Sequence, residues 1–277
     1  LRATLSKVFS DTRKGNLSIV SSEFEKMYKN YYASGYTAGA TVVTMDGYLD
    51  PTERENTIIS GNIVNEVGNH TLLVGVELID TTNENFRYNT FWSTTSDDNE
   101  VFNITRPMDF SVNSAGVATS NDYTADLKSK TKSDIDVTSF FIQDQIDVSD
   151  KLKLMIGGRH DSFDITVTDV KAGSAAARKD TKFSPRAGVI FKPQDNISWY
   201  YSYSESFLPR SGEQYKKLTA SAAALDPDVY ESSEVGVKWA ISDDLSFTAA
   251  YFDSEQTIAT RDDTGESAEI VGLQVDG

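Results

Sequence analysis

The stretch Lys151-Leu152-Lys153-Leu154-Met155-Ile156-Gly157-Gly158-Arg159-His160-Asp161 decides the fold class. Leu152, Leu154 and Ile156 fall on one side of it, and Lys151, Lys153, Arg159 and Asp161 fall on the other. A repeat of two residues is that of a β-strand with one wet face, because successive side chains leave opposite faces of the pleat. The pattern spreads outward from there. Phe183, Pro185, Ala187, Val189 and Phe191 alternate with Ser184, Arg186 and Gly188, and beyond Lys192-Pro193-Gln194-Asp195-Asn196 come Ile197, Trp199, Tyr201 and Tyr203 against Ser198, Ser202 and Ser204. Val235, Val237, Trp239 and Ile241 oppose Glu234, Gly236 and Lys238, and Leu245, Phe247, Ala249 and Tyr251 follow the turn at Ser242-Asp243-Asp244. Upstream, Leu72, Val74, Val76 and Leu78 oppose Thr71, Gly75 and Glu77.

The connections alternate in length. Short turns are expected near residues 12–16, 67–69, 148–150, 192–196 and 241–244, and long polar connections near 33–50, 81–134, 163–181, 209–228 and 254–268. Long loops at one end and tight turns at the other are the habit of membrane β-barrels, and compact soluble domains rarely carry several such loops. The reading is all-β: an antiparallel up-and-down transmembrane β-barrel of the bacterial outer membrane, with roughly eleven strands in one meander and one domain over residues 1–277. A Lys or Arg facing lipid at mid-membrane costs about 2–4 kcal/mol. Lys153, Arg186 and Lys238 are therefore expected inside, with Leu154, Val189 and Val237 facing lipid. Asp144 lies in the apolar register of Phe140, Ile142, Ile146 and Val148, which places it at the periplasmic interface or beside a bulge.

Composition excludes much else. Of 277 residues, 26 are Lys or Arg and 42 are Asp or Glu, a formal charge of −16, and there is no Cys and only two His. Disulfides and Cys-based zinc sites are impossible, and His70 and His160 stand apart in sequence. So acidic a chain is ill suited to nucleic acid, whose phosphates call for a basic surface. No run approaches the roughly 18 apolar residues of a membrane helix. A mean hydropathy of −0.39 does not argue against a barrel, whose lumenal and lipid-facing residues average out.

Tyr and Trp gather near strand ends, as rings with polar tips do at membrane interfaces, although an all-β core would also use them. The acidic pairs Asp97-Asp98, Asp243-Asp244 and Asp262-Asp263 read as solvated loop chemistry, and Gly157-Gly158 as relief of crowding within a strand. No nucleophile elbow, P-loop, dinucleotide fingerprint or His-Glu-x-x-His motif is present, so nothing points to an enzyme. Basic residues gather in the long connections at Arg87, Arg106, Arg178-Lys179, Arg210 and Lys216-Lys217, with Tyr88, Phe91, Trp92, Phe102 and Tyr215 nearby. Guanidinium groups beside aromatic rings suit planar anionic ligands, though long polar loops generally contain some of each.

Several longer stretches resemble one family. These are Ser139-Phe140-Phe141-Ile142-Gln143-Asp144-Gln145, Lys151-Leu152-Lys153-Leu154 running into Gly157-Gly158-Arg159, and Phe183-Ser184-Pro185-Arg186-Ala187-Gly188-Val189. Tyr201-Ser202-Tyr203-Ser204-Glu205-Ser206-Phe207-Leu208-Pro209, Glu234-Val235-Gly236-Val237-Lys238-Trp239, Asp46-Gly47-Tyr48 and Arg54-Glu55-Asn56 continue the match. Together they resemble the barrel domain of TonB-dependent siderophore receptors, most of all the ferric-catecholate type. The resemblance implies an energy-coupled importer of ferric siderophores, built as a barrel of about 22 strands around an N-terminal plug. Eleven strands would be roughly half of such a barrel. No stretch here resembles the plug or its TonB-contacting box, and an unclosed sheet leaves edges that hydrocarbon does not tolerate. The chain is therefore expected to be a fragment that transports nothing alone, with the TonB complex reached through a plug outside it.

On that reading the partners are a ferric siderophore and outer-membrane lipid, and not nucleic acid. The cargo arrives as a complete anionic chelate, so no cofactor or metal ligand of the protein's own is required. The expected ligand contacts are Arg87, Tyr88, Trp92, Arg178, Arg210 and Tyr215. The alternatives are a passive porin-like barrel and a soluble β-rich binding or adhesion module.

Overall fold

The computed structural model describes residues 1–208 and 227–259 and the backbone of 265–276, with side chains described as far as residue 256. The order is β1 (Arg2–Ser10), β2 (Arg13–Gly35), β3 (Val42–Val67), β4 (His70–Asn89), β5 (Glu100–Asn103), β6 (Asp126–Ser149), β7 (Leu152–Asp169), β8 (Ser174–Gln194), β9 (Ile197–Leu208), β10 (Asp228–Ser242), β11 (Leu245–Ala259) and β12 (Gly265–Asp276). There is no helix among the described residues. Every long strand pairs antiparallel with its sequence neighbour, in one sheet running from β1 to β12, and only the short β5 lies off this path, against β3. This is the up-and-down meander, open at β1 and β12: a partial barrel.

The two faces follow the expected assignment. Across β4 to β10, Lys153, Arg186 and Lys238 share a face with Arg159, Glu77 and Ser139, because Glu77 pairs with Ser139, Arg186 with Gly157 and Lys238 with Ser198. The opposite face carries Val74, Val76, Phe140, Ile142, Ile156, Phe183, Trp199 and Val235, all exposed, with Phe140 at 59%. The first face is lumenal and the second lipid-facing. On the lumenal side Arg159 donates to Glu77 and Asp161 at 2.7 Å each, and also to Ser139. A charge there is matched by neighbours within the wall instead of by hydrocarbon.

Asp144 is not at a bulge, for the ladders on both of its sides run unbroken through it. Its carboxylate meets His70 Nδ1 at 2.7 Å, one step along the same face. The polar atom in the apolar register is thus partnered from β4, near the short turns. The Gly158 position is also accounted for: a Cβ there would lie 2.3 Å from Cζ of Phe183, whose ring occupies the place of a side chain.

The loop lengths need correction. The short turns are as expected, but much of the expected long connections is strand, and residues 209–226 lie outside the described residues. Residues 42–50 belong to β3, 81–89 to β4, 126–134 to β6, and the 163–181 connection shrinks to the turn between Asp169 and Ser174. Strands of 23 and 26 residues exceed by more than twice the roughly 9–11 that a tilted membrane strand needs. Their upper halves stand outside the membrane, where hydrocarbon no longer sets the contrast between the two faces.

Residues 90–125 form the one long folded connection among the described residues. They return over the β2–β3 extension on the lipid-facing register, where Trp92, Phe102, Val43 and Met45 form a small core with Tyr31, Met108 and Phe110 against it. Trp92 is 1% exposed and Phe102 is fully buried. Covering one side of the extension leaves its lumenal side open.

Candidate functional site

That open side collects an aromatic and basic group. On β2 a period-two run places Tyr28 and Tyr32 on the lumenal register, facing Asp50 and Asp46 of β3, with Tyr48 between. Arg87 of β4 lies on the same register, opposite Ser129. Its guanidinium donates from Nε and Nη2 to the two oxygens of Asp50 at 2.8 and 2.6 Å. It also stands 4.0 Å from the centre of the Tyr48 ring. Tyr48 lies 5.9 Å from Tyr28 and 6.2 Å from Tyr32, ring centre to ring centre, and Lys26 stands 5.7 Å above Tyr28. The result is a cluster of three phenol rings centred on Tyr48, with Arg87 over Tyr48 and Lys26 over Tyr28.

The electrostatics keep this group polar without making it anionic. The Tyr32 hydroxyl donates to Asp46 at 2.6 Å, and this bond, reinforced by burial and by the charges of Asp46 and Asp98, pushes its pKa up to about 12. The bond to Asp50 raises Arg87 further above its ordinary value, against the opposing effect of burial. Arg87 remains 43% exposed, so its outer edge is available although Asp50 holds one side. A half-exposed guanidinium stacked on a phenol can take a planar anion by hydrogen bond and by charge.

The expected contacts do not come together as one set. Arg87 belongs to the group just described. Tyr88 is the next residue along the strand and faces the other way, stacked on Phe86 at 6.4 Å. Trp92 sits inside the small core of the 90–125 segment, 4.9 Å from Phe102. Arg178 is on β8 in the lumenal register, nearly buried, and donates from Nε and Nη2 to the Asp180 carboxylate at 2.6 and 2.7 Å. Arg210 and Tyr215 lie outside the described residues. Sequence reasoning missed Tyr28, Tyr32 and Tyr48. Tyr32 and Tyr48 fall close to or within a stretch taken for loop, although Tyr28-x-Asn30-x-Tyr32 and Asp46-x-Tyr48-x-Asp50 carry the spacing of two that marks one face of a strand.

Comparison with known proteins meets this architecture directly. A family model described as "TonB dependent receptor-like, beta-barrel" matches residues 8–267. The chain belongs to the TonB-dependent receptors. Within that family it is 31% identical over 154 residues to the probable TonB-dependent siderophore receptor PiuA of Acinetobacter baumannii, an alignment covering 52% of this chain and 21% of that protein. It is 29% identical over 194 residues to the ferrichrome outer membrane transporter/phage receptor of Escherichia coli, covering 69% and 23%. The chain thus spans less than a quarter of the length of these curated relatives. Among solved structures, the ferric-catecholate import receptor Fiu of Escherichia coli in its closed form superposes with a TM-score of 0.72 at 15% identity, over 99% of this chain and 43% of that one. That likeness concerns the fold, and it is the fold of a TonB-dependent barrel wall. The relatives are siderophore receptors and transporters and not enzymes, and none of these matches gives support to a passive porin.

Proposed function

We propose that this chain forms part of the wall and outer rim of an outer-membrane receptor that binds ferric siderophores, preferentially catecholates, and imports them with energy supplied through TonB. Arg87 stacked on Tyr48 and flanked by Tyr28 and Tyr32 carries the reading. A ferric catecholate is a planar-ringed, electron-rich anion, and this group offers it a charge-assisted donor and aromatic faces at the lumenal rim. Arg178, Arg210 and Tyr215 are proposed as further contacts, while Tyr88 and Trp92 support the rim from its other face. The iron is cargo within its chelate. In such a receptor a plug domain would make the contact with TonB.

The test is equilibrium binding by the full-length receptor. Arg87→Gln and Tyr48→Leu are each expected to weaken ferric-catecholate binding about tenfold, equivalent to about 1.4 kcal/mol. Unchanged affinity in both variants removes the site. Tighter binding of ferric hydroxamates than of catecholates by the unaltered receptor overturns the catecholate preference and leaves siderophore import standing.

A further inference from the structure

A second concavity lies at the opposite end of the same wall. Lys153 of β7, Lys192 of β8 and Lys238 of β10 line one cavity of about 430 Å³, together with Tyr200, Met155 and Gln145. All three lysines stand within a few residues of the short turns between β6 and β7, β8 and β9, and β10 and β11, which mark the periplasmic end. Three cations converging on one hollow is unexpected in a chain of formal charge −16. Only part of that charge is answered locally. Lys153 donates to Asp147 at 2.7 Å, and Lys238 stands 5.7 Å from the centre of the Tyr200 ring, whose hydroxyl donates to Glu234. No ion pair to Lys192 appears among the described residues.

We infer that this hollow is a weak anion-binding site, a waypoint for the anionic iron complex as it leaves the lumen toward the periplasm. The inference rests on the import reading above. The volume falls within the roughly 300–1,000 Å³ of small-molecule pockets, and a tyrosine ring and a thioether beneath a cationic rim suit a ring-bearing anion. Weakness is part of the case. Passage requires sites favourable enough to enter and weak enough to leave, and Asp147 tempers the lysines in just that sense. Uniformly acidic walls would instead repel the cargo at the point where it must pass.

Two measurements on the full-length receptor decide it. In amine-acylation footprinting read by mass spectrometry, inorganic pyrophosphate is expected to slow labelling of Lys153, Lys192 and Lys238 about threefold relative to chloride at equal ionic strength, with Lys151 in the adjacent turn unaffected. Equal labelling with and without pyrophosphate overturns the site. In cells, the triple variant K153Q/K192Q/K238Q is expected to import radiolabelled iron on an anionic triscatecholate about fivefold more slowly, with surface binding unchanged and Lys→Arg replacements restoring the rate. Unchanged import by the triple variant overturns the waypoint role. An unaltered receptor that imports no ferric siderophore overturns the import reading, and the footprint then still decides whether the anion site exists.

Discussion

At the scale of single residues, two hydrogen-bonded pairs make separate demands. Tyr32 keeps its proton because its hydroxyl donates a hydrogen bond to the Asp46 carboxylate, so the folded state favours the neutral phenol. A raised acid of this kind contributes fully below the unfolded value of about 10 and loses that contribution as pH rises through about 12. Asp46→Asn should therefore bring one phenolate titration down toward pH 10, seen as the near-ultraviolet difference between that variant and Asp46→Asn/Tyr32→Phe. An unmoved titration would show that the bond does not persist in solution. His70 and Asp144 pose a different problem, because they sit among lipid-facing positions. Removing His70 leaves a carboxylate with one oxygen already lacking a partner. His70→Ala is expected to destabilise the full-length receptor in vesicles by about 1–3 kcal/mol, and His70→Leu/Asp144→Leu to recover that loss. Denaturant unfolding reads both, and a double variant no better than the single one rejects the pairing.

At the scale of elements, the β2–β3 extension holds its site because the 90–125 segment is packed on its other side. Gly47 shows how tightly: a Cβ there would lie 2.8 Å from Tyr31 Cδ1 and 2.9 Å from Thr90 Cγ2. Phe102 lies beneath this layer. Phe102→Ala is expected to remove about 3–5 kcal/mol from the packing of this segment alone, raising hydrogen exchange across residues 90–125 while β6 to β9 keep their protection. Exchange that rises equally throughout would mean that the segment is not a unit of its own. The same element explains what the sequence could show. The alternation in β7 to β9 was legible because lipid on one face and water on the other force a contrast at every step. Above the bilayer that force is gone. There Glu23 and Glu25 stand on the lipid-facing register opposite Glu55 and Glu53, as polar as the Ser22 and Arg54 beside them, so the strand reads as loop. Arg87 could be found as a basic residue among aromatics. Tyr28, Tyr32 and Tyr48 could not be joined to it until the pairing of β2, β3 and β4 brought distant stretches onto one face.

At the scale of the whole molecule, the acidic composition and the membrane wall are reconciled by the division between faces. Charges on the lumenal side answer one another, as Arg159 does with Glu77 and Asp161, and the lipid-facing register of β7 carries no Asp, Glu, Lys or Arg from Leu152 to Ser162. The same substitution should then have opposite consequences on the two sides. Val189→Arg or Val237→Arg puts a guanidinium into hydrocarbon and is expected to cost about 2–4 kcal/mol in vesicles, falling toward zero as the position approaches an interface. Gln143→Arg, on the lumenal register of β6 opposite Gly157, puts the same group into water and wall and is expected to cost under about 0.5 kcal/mol. Urea titration of the three variants of the full-length receptor in one lipid makes the comparison internal, since bilayer thickness and charge are shared. Equal losses on both faces would refute the assignment of lumen and lipid, and with it the placement of the rim group and of the lysine hollow inside the barrel. A loss confined to Val189→Arg and Val237→Arg keeps the rim group and the lysine hollow on the lumenal side of the wall.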